Sequence, residues 1–233
     1  MGEGSLARSL CWHCESEIGG EYFCDRCIKI QPVPPQVDYF QRLGLPRLLT
    51  IDLEDLERRF HELSRKFHPD LFQRSSDQEK TISLENSALL NTAYRTLREP
   101  ILRAEYLISL EEGAVKDIPA KAPPDLLEEV IELQETLEAY KQSQKADPDR
   151  SADLKAALLA EQERIRDRKK VLEKELVSLF KEWDRFEGQR LNKTDEQQGQ
   201  RRSLIQRMKE LLSSRAYLRT VLQDLEEGLL DHP

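Results

Sequence analysis

The chain has 233 residues, a formal net charge of −8, 34% charged residues and only 6% aromatic residues. This length suits one or two modest domains with an appendage, and the high charge favours long solvated helices over a large sheet. An acidic chain is a poor general binder of nucleic acids or anionic membranes, so we expect neither partner. The longest unbroken apolar run, residues 156–160, has five residues and is too short to cross a bilayer.

The start of the chain and the positions of its cysteines predict the cellular location of the protein. Residues 1–10 have no apolar signal core, and one arginine and one glutamate do not make a transit peptide. All four cysteines lie between positions 11 and 27, which argues against the distributed disulfide framework of a secreted protein. We therefore expect a cytoplasmic protein.

The cysteines form two C-x-x-C pairs, Cys11 with Cys14 and Cys24 with Cys27, which are separated by nine residues. Each pair can turn both sulfur atoms toward one point, and four thiolates complete the tetrahedral shell of zinc. Two glycines at 19–20 supply the turn between the pairs. We expect a small hairpin module that holds a structural Zn²⁺, with no open coordination position for catalysis.

Two other interpretations of the cysteines are open at this point. A redox-active C-x-x-C pair would suit a thiol oxidoreductase, but no βαβ pattern surrounds these residues. A zinc finger that binds nucleic acid would normally be basic, whereas residues 1–30 hold three basic and five acidic residues. His13 is expected to be solvated, because four cysteines already saturate a zinc ion.

Two proline-rich stretches divide the chain. Residues 31–36 predict an extended, fairly stiff linker, and residues 118–124 contain three prolines. Strand signals are nearly absent outside the cysteine region, so the fold class is all-α. We expect a zinc-binding segment with its linker at 1–37, a helical hairpin with a connecting helix at 38–117, and an antiparallel three-helix bundle at 118–233.

One helix can be placed closely, between Asp52 and Pro69. Asp52 is a good N-cap, and apolar residues then recur at steps of three and four. This stripe consists of Leu53, Leu56, Phe60, Leu63 and Phe67. Pro69 ends the helix because it forces His68 out of the α region. A second helix is expected over about 77–99, so His68-Pro69-Asp70 lies in the loop between two antiparallel helices.

The order of these features closely resembles a J-domain, the module that stimulates ATP hydrolysis by DnaK-type chaperones of the heat-shock 70 class. The match is carried by residues 38–45, 68–70 and 91–97. The segment 97–110 and the ending 225–231 extend it, and with them residues 38–233 resemble the HscB (Hsc20) family of co-chaperones. An N-terminal four-cysteine segment is known from the eukaryotic relatives of that family.

The resemblance implies a specific activity. Members of this family deliver an IscU-type iron–sulfur scaffold protein to an HscA- or DnaK-type chaperone and stimulate its ATPase. His68, Pro69 and Asp70 take the positions of the functional loop. The preceding helix carries four cations expected to contact the acidic surface of the chaperone, namely Arg58, Arg59, Arg65 and Lys66. The alternative is a solvated face with internal ion pairs, since Glu57 and Glu62 lie among these cations.

The C-terminal helices offer a candidate surface for the scaffold protein. On the first of them, Leu127 and Ile131 fall about 100° from the centre of the apolar stripe and are surplus to packing in the bundle. On the last helix, Tyr217 and Val221 lie off a stripe that includes Leu211. The family's scaffold-binding surface resembles the placement of Leu127, Ile131 and Tyr217. The alternative is that packing against the J-domain buries these residues.

No catalytic machinery is recognisable in the chain. The sequence contains no P-loop, dinucleotide fingerprint or nucleophile elbow, and its four histidines form no acid–base constellation. We therefore expect a non-enzyme adaptor between the scaffold and the chaperone. The competing interpretations are a general J-protein for unfolded clients, a zinc-finger nucleic-acid-binding factor and a thiol oxidoreductase. The sequence is also compatible with a homo-oligomer.

Overall fold

The computed structural model describes residues 9–19, 22–113, 118–123, 126–144, 146–188 and 195–230. Over these ranges most of the chain is helical and the strands are two short pairs of residues, which confirms the all-α fold class. The chain divides into two compact units, Met1–Arg103 and Ala104–Pro233. The three-part division predicted from composition stays a prediction. Gly20, half of the turn predicted between the cysteine pairs, lies outside the described residues.

The first unit opens with the expected hairpin. Strands β1 (Ser9–Leu10) and β2 (Glu17–Ile18) pair in antiparallel register, with Ser9 opposite Ile18. Phe23 and Ile30 then form an isolated antiparallel bridge around the second cysteine pair. Two short pairings of this kind leave few backbone hydrogen bonds to hold the segment by itself.

Three helices and one 3₁₀ turn follow in the first unit. They are α1 (Tyr39–Arg42), α2 (Leu53–Phe67), the 3₁₀ turn Pro69–Phe72, and α3 (Asp77–Arg98). Asp52 caps α2 as predicted, because its side chain accepts hydrogen bonds from the first backbone N–H groups of the helix. Ser76 and Glu79 form a capping box at the start of α3. The helix boundaries therefore follow local cap chemistry.

Helices α2 and α3 form a hairpin around an apolar seam. The fully buried members of the seam are Leu56 and Phe67 on α2, and Leu90, Ala93 and Leu97 on α3. Phe60 stacks on Tyr94 across the seam, with ring centroids 4.2 Å apart. Burial of each large side chain contributes about 1.5–3 kcal/mol, so the hairpin has its own source of stability.

The second unit consists of long helices. Helix α4 (Pro100–Glu112) starts at the last residues of the first unit, and the bundle is formed by α5 (Leu127–Ser143), α6 (Pro148–Gly188) and α7 (Asp195–Leu229). Helix α5 ends at Ser143 and α6 begins at Pro148, and α6 ends at Gly188 and α7 begins at Asp195.

Ion pairs between α6 and α7 establish that these two helices are antiparallel. The pairs are Arg166 with Glu226, Glu173 with Arg215, and Glu182 with Arg207. In these pairs the residue number increases along α6 as it decreases along α7, which is the antiparallel arrangement predicted for the bundle. Apolar residues of all three helices form one buried cluster between them.

The buried face of α7 is wider than predicted. Val221 is buried although the pattern placed it off the stripe, and Leu212 is buried in place of the predicted Leu211. Tyr217 is partly buried against the same cluster. The reason is that α7 packs against both α5 and α6, whereas a single stripe describes contact with one neighbour.

Candidate functional sites: the cysteine cluster and the His-Pro-Asp loop

The four predicted metal ligands come together in the structure. Their sulfur atoms all lie within 4.8 Å of one another. The Sγ atoms of Cys11 and Cys27 are 3.6 Å apart, and those of Cys14 and Cys24 are 3.7 Å apart. With metal–sulfur bonds of about 2.3 Å, the edge of a tetrahedral four-sulfur shell is about 3.8 Å long. The cluster therefore fits one four-coordinate metal ion.

Each C-x-x-C pair forms the same tight turn. The backbone N–H of Glu15 donates to the carbonyl of Cys11 at 3.0 Å, and that of Ile28 donates to the carbonyl of Cys24 at 2.7 Å. Glu15 and Ile28 lie in the left-handed region, with φ of 55° and 60°, which is unusual for a β-branched residue such as Ile28. This turn directs both sulfur atoms of a pair to the same point.

Ser16 bridges the two cysteine pairs, and the sequence analysis did not identify it. Its hydroxyl lies 3.1 Å from the Sγ of Cys14 and 3.2 Å from the Sγ of Cys24. The hydrogen bond from Ser16 is the main cause that lowers the pKa of Cys24 to about 6, and it also lowers the pKa of Cys14. Burial raises the pKa of Cys27. Ser16 thus favours the thiolate form that a metal ion requires, at whichever of the two sulfur atoms receives its single hydroxyl proton.

Gln31 is a second residue of the cluster that the sequence analysis missed. It was placed in the linker, but it is buried and its Nε2 donates to the Sγ of Cys11 at 3.4 Å and to the carbonyl of Lys29 at 2.8 Å. Its Oε1 accepts from the backbone N–H of Trp12 at 3.4 Å. His13, by contrast, is exposed and packs edge-on against Trp12, as expected of a residue that is not a ligand.

The His-Pro-Asp loop lies at the exposed end of the α2–α3 hairpin. His68 Nδ1 accepts a hydrogen bond from the backbone N–H of Asp70 at 3.3 Å, and it lies 3.5 Å from Asp70 Oδ2. The side chains of His68 and Asp70 are 55% and 71% exposed. Pro69 begins the 3₁₀ turn, which contains Asp70 and ends before α3 begins. The loop presents its polar groups to solvent, where a macromolecular partner can reach them.

The residue just before the loop is held firmly. Phe67 is 1% exposed, and its carbonyl accepts hydrogen bonds from the hydroxyls of Ser83 at 2.6 Å and Ser87 at 3.0 Å. A carbonyl at the end of a helix has no partner within that helix, and the two serines of α3 supply one. The end of α2 is therefore tied to α3 directly beside His68.

The four predicted cations on α2 differ in their surroundings. Arg58 forms ion pairs with Asp55 and Glu62, and Arg59 forms one with Asp55 at 2.7 Å. Side-chain hydrogen bonds from Arg59 are the largest cause that lowers the pKa of Asp55. Arg65 and Lys66 are exposed, and neither forms an ion pair within the part of the chain that the structure describes. Their charges are therefore the ones most available to an acidic partner.

Arg59 also links α2 to the loop after α1. Its Nη1 donates to the carbonyl of Gly44 at 2.8 Å and to that of Leu43 at 3.3 Å. Gly44 has a φ of +64°, and a Cβ atom there would lie 2.7 Å from Arg59 Nη1. The positive φ therefore favours glycine at this position, and a larger residue would displace the end of the Arg59 side chain. Arg59 thus helps to hold the loop after α1 against α2.

The predicted scaffold-binding residues also differ from one another. Leu127 and Ile131 are 54% and 50% exposed on α5, although both are large apolar side chains. Tyr217 offers less surface than predicted, because it packs partly into the bundle core. Their role in binding stays a prediction. Among the helices of the described ranges, none is both long and apolar enough to pass through a membrane.

Comparison with known proteins identifies several relatives. No protein-family profile matches the chain. The iron–sulfur cluster co-chaperone protein HscB of Mus musculus is 35% identical over 139 residues, which cover 58% of this chain and 59% of the mouse protein. The HscB homolog of Arabidopsis thaliana is 38% identical over 127 residues, covering 54% and 50%. The Homo sapiens HscB is 34% identical over 135 residues, covering 54% and 56%. The match thus spans only 50–59% of each relative's length.

Two solved structures extend the comparison. The crystal structure of human co-chaperone protein HscB has a TM-score of 0.61 and 23% identity, and it covers 95% of this chain and 99% of its own, which shows the shared fold. The chaperone HscB from Vibrio cholerae has a TM-score of 0.52 and 25% identity, covering 82% and 96%. The resemblance stated from the sequence is confirmed: the chain is similar in sequence to proteins named HscB co-chaperone and shares the fold of solved HscB structures.

Proposed function

We propose that this protein is a co-chaperone of iron–sulfur cluster assembly. In this account it binds an IscU-type scaffold protein, delivers it to a DnaK- or HscA-type chaperone and stimulates the ATPase of that chaperone. The relatives named as iron–sulfur cluster co-chaperones support the proposal. The observation that carries it is the exposed His-Pro-Asp loop, His68 to Asp70, at the end of a capped helical hairpin.

The proposed contact with the chaperone consists of the loop and the last turn of α2. Arg65 and Lys66 stand immediately before it and are exposed, so they can steer and orient an acidic surface toward the loop. A loop of this kind acts by binding one conformational state of its partner more tightly than another. ATP hydrolysis then takes place in the chaperone's own site, and we assign no catalytic residue to this chain.

For the metal centre we propose Zn²⁺. Its ligands would be Cys11, Cys14, Cys24 and Cys27, with Ser16 and Gln31 hydrogen-bonded to their sulfur atoms. Zinc supplies folding stability in such a shell and no open position for substrate. This assignment agrees with a non-enzymatic role.

For the scaffold protein we propose the exposed face of α5 that contains Leu127 and Ile131. Leu127 and Ile131 are one helical turn apart, so their exposed apolar side chains can form a contiguous patch on which a partner protein docks. One chain would then hold the scaffold on α5 and the chaperone on the loop, which raises the effective concentration of one at the other. The cytoplasmic location predicted from the sequence stays a prediction.

The direct test is the steady-state ATPase rate of a DnaK- or HscA-type chaperone with increasing amounts of the zinc-loaded protein. We expect stimulation by the wild type, loss of stimulation with Asp70→Ala, and full stimulation with Glu85→Ala, a matched change of an exposed carboxylate on α3. Equal stimulation by wild type and Asp70→Ala would contradict the assignment of the loop. A general J-protein for unfolded clients would instead be indicated by preference for unfolded peptides over the folded scaffold.

A further inference from the structure

Two aromatic residues next to a metal ligand contact the base of the His-Pro-Asp loop. Tyr22 packs edge-on against Phe67, with ring centroids 4.8 Å apart, and Phe23 stacks on the same ring at 6.4 Å. Phe67 is fully buried and immediately precedes His68, and Phe23 immediately precedes Cys24. The ring of Phe67 therefore lies between the aromatic residues beside the cysteine cluster and the His-Pro-Asp loop.

The same region also contacts the other end of the loop. Lys29 Nζ forms an ion pair with Glu79 Oε2 at 2.9 Å, and the hydroxyl of Ser76 donates to the same oxygen at 2.9 Å. Burial of the Glu79 carboxyl opposes its ionisation, but the hydrogen bonds from Lys29 and Ser76 outweigh burial and lower its pKa. Residues 9–19 and 22–31 are called the cysteine segment below. Ser76 and Glu79 form the cap of α3, and Phe67 ends α2. The cysteine segment therefore contacts both helix ends that flank the loop.

A third contact connects Cys11 to the middle of α3 through the side chain and the carbonyl of Gln31. Gln31, which donates to the Sγ of Cys11, uses its own carbonyl to accept a hydrogen bond from Asn86 Nδ2 at 2.9 Å. Asn86 Oδ1 accepts from the backbone N–H of Val33 at 3.2 Å, and Asn86 is buried. A buried amide that satisfies two backbone groups of another segment is costly to leave unpaired, so this contact fixes the docking of the cysteine segment.

The buried core described within the cysteine segment is small. One cluster contains Cys11, Ile18 and Cys24, packed against the other two cysteines. Ile30 is also buried, and its carbonyl accepts a hydrogen bond from Trp12 Nε1 at 2.7 Å. A core of this size usually needs a metal ion or another staple to become ordered. The α2–α3 hairpin, in contrast, keeps its own seam and the serine bonds to the carbonyl of Phe67. Loss of the segment should therefore loosen the loop without unfolding the hairpin.

We propose that Tyr22 and Phe23 are positioning residues for the His-Pro-Asp loop, and that metal occupancy of the cysteine cluster controls how firmly the loop is held for the chaperone. The metal-bound segment clamps Phe67 on one side of the loop and Glu79 on the other. A chain without metal loses the clamp and presents a looser loop. The part of this inference that concerns the chaperone rests on the proposed function.

Hydrogen exchange measured by mass spectrometry on the full chain tests the clamp without any chaperone. We expect Tyr22→Ala with Phe23→Ala to raise exchange in residues 64–75 roughly tenfold, because two aromatic contacts with Phe67 are lost. Removal of zinc with EDTA should raise exchange there by at least as much. Bundle peptides from α6 serve as an internal reference and should not change.

Matched variants separate a clamp from a general loss of structure. Leu10→Ala truncates an exposed side chain of the same segment that takes no part in the ring contacts, and it should leave residues 64–75 protected. Tyr22→Phe keeps the ring and removes only the hydrogen bond that its hydroxyl donates to the carbonyl of Arg42 at 2.6 Å, so it should retain most of the protection. Zinc content, measured with a chromophoric chelator, should stay at one ion per chain in the aromatic double variant. Unchanged exchange at 64–75 in both the double variant and the zinc-free protein would overturn the proposal.

The ATPase assay then tests the functional consequence. With the double variant, the protein concentration needed for half-maximal stimulation should rise roughly tenfold, because fewer molecules hold the loop in the binding conformation. The maximal rate should be regained at high concentration. If exchange rises while the half-maximal concentration does not, the link between the clamp and the chaperone is wrong. If the wild type does not stimulate at all, the proposed function fails, and the exchange experiment still decides whether the clamp exists.

Discussion

The cysteine segment and the C-terminal bundle are stabilised in different ways. The buried cluster of the segment contains three residues, two of which are proposed metal ligands, whereas that of the bundle contains ten apolar residues from three helices. Apolar burial alone can hold the bundle, but in our proposal the segment depends on a metal ion and on contacts with α2 and α3. Conditions that remove metal should therefore act on the loop region and leave the bundle folded.

Metal removal is expected to have the largest effect and tests this contrast directly. Treatment with EDTA should unfold the cysteine segment, so that its amides exchange at the rate of an unfolded chain, while the helical circular dichroism of the bundle keeps its urea midpoint. Added zinc should restore protection of the segment. A bundle midpoint that shifts with metal would show that the two regions are not independent in the way described.

The next largest effect is expected from a cavity in the bundle core. Leu218 is completely buried, so Leu218→Ala should lower the free energy of unfolding of the bundle by about 2–5 kcal/mol in urea denaturation. Leu159→Ala, an exposed leucine of α6, is the matched control and should change it by less than about 0.5 kcal/mol. Zinc affinity should be the same in both variants. A weaker zinc site in Leu218→Ala alone would contradict the comparison.

An intermediate effect is expected on the proposed scaffold surface. Leu127→Ala with Ile131→Ala should weaken binding of an IscU-type scaffold roughly tenfold or more by calorimetry, because two exposed anchors are removed. Stability should hardly change, since both side chains are about half exposed. Stimulation of the chaperone without scaffold should stay intact. Leu159→Ala is again the control, and unchanged scaffold affinity in the double variant would remove this surface from the account.

The smallest expected effect distinguishes the cations of α2. Arg65→Glu with Lys66→Glu should reduce chaperone affinity about three- to tenfold at low salt, because these charges are not neutralised by neighbours. Arg58→Gln should have a smaller effect, since Asp55 and Glu62 already pair with it. Stimulation measured across a salt series checks both. Equal losses in the two variants would indicate that internal ion pairs do not decide which cations bind.

Much of this organisation could be predicted because local chemistry determines it. The spacing of the four cysteines predicted that their sulfur atoms would meet at one point. Asp52 predicted the start of α2, and Pro69 predicted its end. The exposure of Leu127 and Ile131 also agrees with their position off the stripe. Each of these features depends on residues that lie close to one another in the sequence, and sequence patterns describe that range well.

Contacts between residues far apart in the sequence, and the conformations of individual side chains, could not be predicted. Gln31 was interpreted as part of a linker, and nothing in the sequence joins it to Asn86, 55 residues away. On α7 a single apolar stripe did not include Val221, which is buried because the helix packs against both α5 and α6. The pairing of Arg58 and Arg59 with Asp55 depends on side-chain conformations that charge counting does not provide. All three are tertiary contacts or side-chain geometries.

The most direct test of the central claim is the ATPase rate of the chaperone as a function of scaffold concentration, measured with wild type, Asp70→Ala and the Leu127→Ala/Ile131→Ala variant. The account predicts that scaffold further increases the stimulation by the wild type, that Asp70→Ala gives no stimulation at any scaffold concentration, and that the double variant stimulates but loses the response to scaffold. Stimulation that persists in Asp70→Ala, or that ignores scaffold in the wild type, would contradict it.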